Sequence, residues 1–304
     1  MHDVSVLNLH NWRIVLTLAA GTACLMWMSE MITEKGIGNG VSLIIFAGIM
    51  MRIPTDVARV YELVRSGSVE FTNVLMLSVF FLATVMFIVY VQQAERKIPV
   101  QYTRRMVGTR MMGATSYLPL RVNTAGVIPI IFAISVAMFP STLTSMIPVF
   151  QPGKIITIPL LGQVDLGMMG TRIRDIFYPG STMTALFIYF ALVVAFTYFY
   201  TAVVFNPTDL ADNLRKWGGV IPGIRPGAPT VQYIDRVLSR ITFGGALFLG
   251  TIAVLEFLVP EWTGLPLYDI AGGTSILIVV GVALETMLQL EAQLLSRQYE
   301  RLIR

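Results

Sequence analysis

The sequence predicts an all-α protein, a polytopic bundle of seven transmembrane helices, and three observations support that prediction. The chain is 55% hydrophobic and only 13% charged, about half the charged share of an average soluble domain. Its mean hydropathy is +0.70, and the apolar residues gather into runs, most of them near or above the roughly 20 residues that a bilayer core requires. Lysine and arginine collect in two of the segments between those runs. Lipid offers the backbone no hydrogen-bond partner, so each run that crosses must be helical.

The predicted spans are 12–32, 39–53, 72–93, 124–148, 183–205, 241–260 and 271–291. The first ends on Glu30, Glu34 and Lys35, two carboxylates one helical turn apart that either face interfacial water or hold a cation. The second, within "GIGNGVSLIIFAGIMMRIP", is short and glycine-flanked. The fourth carries Gly126, Pro129 and Pro140. Proline frees backbone carbonyls, so this helix either hinges or simply tolerates the residue, as membrane helices do. The sixth and seventh spans hold Glu256 and Glu285, intramembrane carboxylates that serve a function or bond polar groups between helices. No soluble domain, low-complexity tract or internal repeat stands out.

Basic residues set the orientation. With the N-terminus outside, fifteen of the 22 lysines and arginines fall on the inside. That places the C-terminus in the cytoplasm, with 94–123 and 206–240 as the two major cytoplasmic loops. The opening "MHDVSVLNLHNW" has no signal-peptide character, so its translocation is odd. The expectation is that the chain is the remainder of a longer membrane protein.

Several chemistries are disfavoured. Cys24 is the single cysteine, and both histidines, His2 and His10, precede the first span. An intrachain disulfide or a cysteine-cluster zinc site is therefore impossible. No hydrolase elbow, zinc-binding helix or phosphate-cradling loop occurs. No metal, cofactor or catalytic residue is expected.

The two basic loops each run to about thirty residues, longer than ordinary connections. The first, "AERKIPVQYTRRMVGTRMMGATSYLPLRVN", sets six basic residues against one glutamate. The second holds "GVIPGIRPGAPT" (219–230), with three prolines and three glycines around one cation, Arg225. Proline lacks the amide donor and glycine gives up backbone order, so this stretch is a bent, exposed loop. With Tyr102, Trp217 and Tyr233 nearby, these loops either merely set topology or dock an acidic or phosphate-rich partner.

At these residues the chain resembles a known family. "EKGIGNGVSLIIFAGI", "NTAGVIPIIFAIS", "FNPTDLADNLRKWGGVIPGIRPG" and "GGTSILIVV" are similar, in order and spacing, to the bacterial SecY subunit of the protein-conducting channel. The resemblance implies a ten-span, two-halved clamshell of which this chain supplies the fourth to the tenth spans. Residues 1–66 would be a remnant of the first half, and 67–304 the second half. The plug and the second and third spans would be absent. It implies a pore ring containing Val41, Ile45, Ile131 and Ile278, and a lateral gate with Phe139 and Asn123, although an N-cap role explains Asn123 equally well. It implies docking by Arg225, joined by Arg104, Arg105 and Arg110, to the motor ATPase SecA and the ribosome. The other implied partners are the small membrane subunits SecE and SecG, signal peptides, unfolded polypeptide substrates and membrane lipids, all at the bacterial plasma membrane.

A channel subunit of this kind is not an enzyme, because the driving energy comes from its partner. The competing expectations are a secondary transporter, with a small-molecule site at midplane broken helices, and a seven-span receptor. The receptor would need a polar cluster inside the bundle.

Overall fold

The computed structural model describes residues 9–102, 105–107, 110–112, 115–147, 155–158, 162–264 and 272–303. Nine helices occur among them: α1 (Leu9–Lys35), α2 (Gly40–Arg65), α3 (Phe71–Gln93), α4 (Ile128–Met146), α5 (Leu166–Phe177), α6 (Met183–Val204), α7 (Pro207–Lys216), α8 (Ala228–Thr263) and α9 (Gly273–Ile303). Seven of the described helices are long and apolar enough to cross a membrane. Seven strands join them: β1 (Glu95–Tyr102), β2 (Arg105–Val107), β3 (Arg110–Met112), β4 (Thr115–Arg121), β5 (Ile155–Ile158), β6 (Gly162–Asp165) and β7 (Gly219–Val220). The chain divides into two compact units, Met1–Ser68 with Ile278–Arg304 in one and Val69–Leu277 in the other.

In the first unit α1 and α2 turn back on each other through a tight joint. A Cβ on Gly40 would stand 1.9 Å from the Ser29 carbonyl oxygen, so only glycine fits. The Gly40 amide donates to Thr33 Oγ1 at 2.8 Å. Asn39 caps α2, its Oδ1 accepting from the Val41 and Ser42 amides. The second span, expected to stop at 53, continues as helix through Pro54 to Arg65. Proline is accommodated within membrane helices, so it did not end the element.

In the second unit α4, α6 and α8 pack together, with α3 against α8. Helix α6 presents a straight stripe at every fourth residue, with Ala185, Tyr189, Val193, Thr197 and Thr201 all buried. Thr197 and Thr201 return their hydroxyl protons to the Val193 and Thr197 carbonyls, which satisfies them without a partner helix. Helix α8 answers with small residues. A Cβ at Gly250 would meet the Phe190 ring at 2.6 Å, and one at Gly245 the Val122 oxygen at 2.5 Å. Small residues let membrane helices approach this closely. Helix α4 begins at Ile128, with Pro129 in its first turn, where no amide donor is needed. Gly126 lies before the helix at φ +67, so Pro140 alone interrupts its interior.

The two basic segments are not plain loops. β1 pairs antiparallel with β4 from Glu95↔Arg121 to Gln101↔Thr115, and its far end pairs with β7 through Gln101↔Val220 and Tyr102↔Gly219. One sheet, ordered β4-β1-β7, thereby joins strands of segment 94–123 to a strand of segment 206–240. Ile98 and Val100 alternate inward with Ala211, Leu214, Ile221 and Ile234 in one buried cluster. The expectation that 94–123 and 206–240 are loops is therefore corrected: they carry strands, the short helix α7, the start of α8 and a small apolar core. The stretch 219–230 is likewise strand at its start and helix at its end, with the bend confined to 221–227.

Candidate functional site

Arg225 sits at that bend. Ile221 is buried in the cluster and Ile224 packs against it. The chain reverses at Gly223 and Gly227, whose φ values of 81 and 109 lie in the region that disfavours other residues. Thr230 Oγ1 donates to the Arg225 carbonyl at 2.9 Å. The backbone of Arg225 is thus anchored on both sides while its side chain stands exposed and makes no ion pair among the described residues. A fixed main chain holding out a free guanidinium suits two-point pairing with carboxylate or phosphate.

Arg105 and Arg110 lie on the β2–β3 hairpin, opposite Met112 and Val107, and Arg104 lies outside the described residues. Arg215 and Lys216 end α7. A groove of about 60 Å³ beside them is lined by Tyr102, Tyr117, Leu210, Asn213 and Trp217. Trp217 is 71% exposed and Tyr117 59%. Sequence reasoning picked out Tyr102 and Trp217 but missed Tyr117, which the β1–β4 pairing brings to the groove, and Leu210, which α7 supplies. Tyr233 packs instead against the buried cluster.

Of the expected pore residues, Val41 and Ile45 belong to the first unit with Ile278, and Ile131 to the second. Val41 and Ile45 are one turn apart on α2, 53% and 40% exposed. On α4 the buried residues Ile130, Ala133, Ala137 and Ser141 define one face. Ile131 and Phe139, two turns apart, lie off it and are 44% and 62% exposed. Ile278 is half-buried. Helix α9, which carries it, starts against α8: a Cβ on Gly273 would meet the Ile252 carbonyl oxygen at 2.5 Å, and Thr274 Oγ1 donates to the Glu256 carboxylate. That contact accounts for Glu256 as a polar link between helices, whereas Glu285 is exposed.

Asn123 does not cap α4. The cap position is Val127, which makes no side-chain cap bond, so the capping alternative is corrected. The Asn123 Oδ1 is enclosed and has no hydrogen-bond partner among the described residues, an arrangement that costs on the order of 1–3 kcal/mol. Glu30 and Glu34 stand exposed on α1. Among the described residues no three histidine, cysteine or acidic side chains gather as a metal set would.

Fold and site together define a multi-pass helical membrane protein whose basic segments carry a small folded sheet. A SecY family model matches residues 3–287. The chain belongs to the SecY family. It is 46% identical over 291 residues to the protein translocase subunit SecY of Aquifex aeolicus, covering 95% of this chain and 63% of that protein. Against the Mycobacterium tuberculosis subunit the figures are 46% over 294 residues, 94% and 62%. Against that of Thermus thermophilus they are 44% over 289 residues, 94% and 61%. The chain thus spans less than two thirds of the length of these relatives. A solved protein-conducting channel shares the fold at TM-score 0.65 and 18% identity, over 96% of this chain and 68% of that one. A structure from work on the SecY plug domain gives TM-score 0.64 at 17% identity, with the same coverage.

Proposed function

We propose that this chain forms most of the central subunit of a protein-conducting channel, which passes unfolded secretory proteins across the bacterial plasma membrane and releases membrane proteins into it. The supporting observation is the family match along nearly the whole chain to subunits named as protein translocases. The channel is passive and performs no chemistry of its own; a motor such as SecA or the ribosome drives transport. Residues 1–66 belong to its first half and 67–304 to its second, with the C-terminus in the cytoplasm and SecE and SecG alongside.

Val41, Ile45, Ile131 and Ile278 contribute to the constriction in this reading. Branched aliphatics exclude water and ions by dewetting, and they yield around a passing chain without hydrogen-bonding to it. Phe139 and Asn123 serve the lateral gate, where an unpartnered amide oxygen is available to a polar group that arrives with the signal peptide.

Arg225, with Arg104, Arg105 and Arg110, docks the motor or ribosome. Arg225→Glu in the complete channel is expected to leave insertion intact, since exposed loop substitutions usually stay within about 0.5 kcal/mol. Translocation is expected to fall, because losing a charge-assisted contact and gaining a like charge costs on the order of 2–5 kcal/mol of binding. Arg225→Lys keeps the charge but not the fork and falls between. Motor binding and transport, measured side by side for the three proteins, test this. Equal transport by all three reduces the loop to a connector.

A further inference from the structure

We propose that the cleft between α4 and α5, at the end of α4 remote from the sheet, holds the headgroup of an aminophospholipid and recognises its primary ammonium. The cleft measures about 490 Å³, within the range of about 300–1,000 Å³ usual for small-molecule sites.

The hydrogen bonds of its walls decide which chemistry it accepts. Thr142 Oγ1 donates to the Met138 carbonyl at 2.9 Å, and Ser145 Oγ to the Thr142 carbonyl at 2.7 Å. The single Ser181 Oγ proton is shared between the Asp175 and Tyr178 carbonyls, at 2.6 and 2.9 Å. Three hydroxyls have therefore committed their protons to the backbone and present lone pairs to the cleft. Ser141, which also lines it, is 7% exposed, and its Oγ has no partner among the described residues. A buried hydroxyl in that condition is stabilised by any ligand that bonds it. Asp175 adds a carboxylate, and neighbouring Arg174 adds a single cation.

An acceptor-rich wall with one carboxylate matches a group with several donors and a positive charge, which a primary ammonium supplies three times over. A quaternary ammonium supplies no donor at all. The Arg174 guanidinium suits the phosphate that such a headgroup carries beside its amine.

The position argues for a lipid over a soluble amine. Helix α4 ends at Met146, and α6 starts at Met183, two residues after Ser181. Two spans therefore reach the membrane boundary here. On α5, Met168, Met169 and Ile176 are exposed on a helix that also carries Arg172, Arg174 and Asp175, the pattern of a helix lying in the interface. Exposed Leu143 and Met146 at the end of α4 offer apolar surface to acyl chains.

The test is native mass spectrometry of the intact membrane complex equilibrated with equal amounts of phosphatidylethanolamine, phosphatidylcholine and phosphatidylglycerol. The expected result is retention of phosphatidylethanolamine over the other two by roughly tenfold, the size of one charge-assisted hydrogen bond. Asp175→Asn, an isosteric change at an exposed position, is expected to abolish that preference, and Ser141→Ala to reduce it. Equal retention of phosphatidylethanolamine and phosphatidylcholine by the wild type, or a preference unchanged in Asp175→Asn, overturns the proposal. Displacement by an equal concentration of soluble phosphoethanolamine overturns the assignment to a lipid.

Discussion

Ile278→Asp is expected to make the complete, resting channel leak ions when it is reconstituted into a planar bilayer. The half-buried isoleucine would be exchanged for a carboxylate that keeps its water, and a narrow apolar constriction resists ions only while it stays dry. A tenfold rise in conductance needs only about 1.4 kcal/mol off the barrier, and a charge placed within a membrane segment alters solvation by more than that. The increase should therefore be an order of magnitude or greater. Ile278→Leu preserves the apolar surface and is expected to stay at background. If the aspartate variant also stays at background, Ile278 does not line the constriction.

The second large effect is on stability, at the joint that begins the same helix. Gly273→Ala would set its methyl 2.5 Å from the Ile252 carbonyl oxygen and 2.9 Å from Ile252 Cγ2. Ile252 is fully buried, and the nearest atom met is backbone rather than the far end of a flexible side chain. Overpacking of this kind costs about 1–3 kcal/mol, and Gly273→Val is expected to cost more. Gly244 provides the contrast, because nothing lies within 4 Å of the Cβ that alanine would add there. Gly244→Ala should be neutral or slightly stabilising, since alanine is about 1 kcal/mol the better helix former. Thermal unfolding of the purified complex distinguishes the two, and equal midpoints for Gly273→Ala and Gly244→Ala would show that the α8–α9 joint is not close-packed.

The spans were legible because apolar length is a strong signal that needs no tertiary information. Their ends were less so. Arg52, Pro54, Asp56 and Arg59 make the second span look finished near 53, yet α2 runs on to Arg65. The segment "TVQYIDRVLSR" reads as loop but lies within α8, whose inward residues there, Ile234 and Leu238, are spaced one turn apart. The sheet was hidden for a different reason. Only Ile98 and Val100 alternate inward on β1, Pro99 falls between them, and the partner strand contains Pro119. Its stability comes from α7 and α8 packed beneath it, which no window of eight residues reveals. Helix α5 escaped notice because it is short and mixes methionines with charges.

The candidate site was legible to unequal degrees. Arg225 announced itself, since a cation among prolines and glycines has no place in a helix or a core. What sequence could not supply was the Thr230 hydroxyl that fixes its backbone. The proposed ring residues are the opposite case. Val41, Ile45, Ile131 and Ile278 are aliphatics in aliphatic helices and carry no local mark, so the family motifs alone single them out. Ser141 and its cleft were invisible for want of any knowledge of which hydroxyl protons the backbone consumes.

Site-specific photo-crosslinking to a secretory chain arrested in transit tests the pore assignment most directly. A photoreactive residue would replace Val41, Ile45, Ile131 or Ile278 in the complete channel, and the control position is Phe187, 72% exposed on α6. Adducts to the arrested chain from all four positions, and none from Phe187, are the result predicted for a shared constriction. Absence of adducts at the four positions, or equal yield at Phe187, would contradict it.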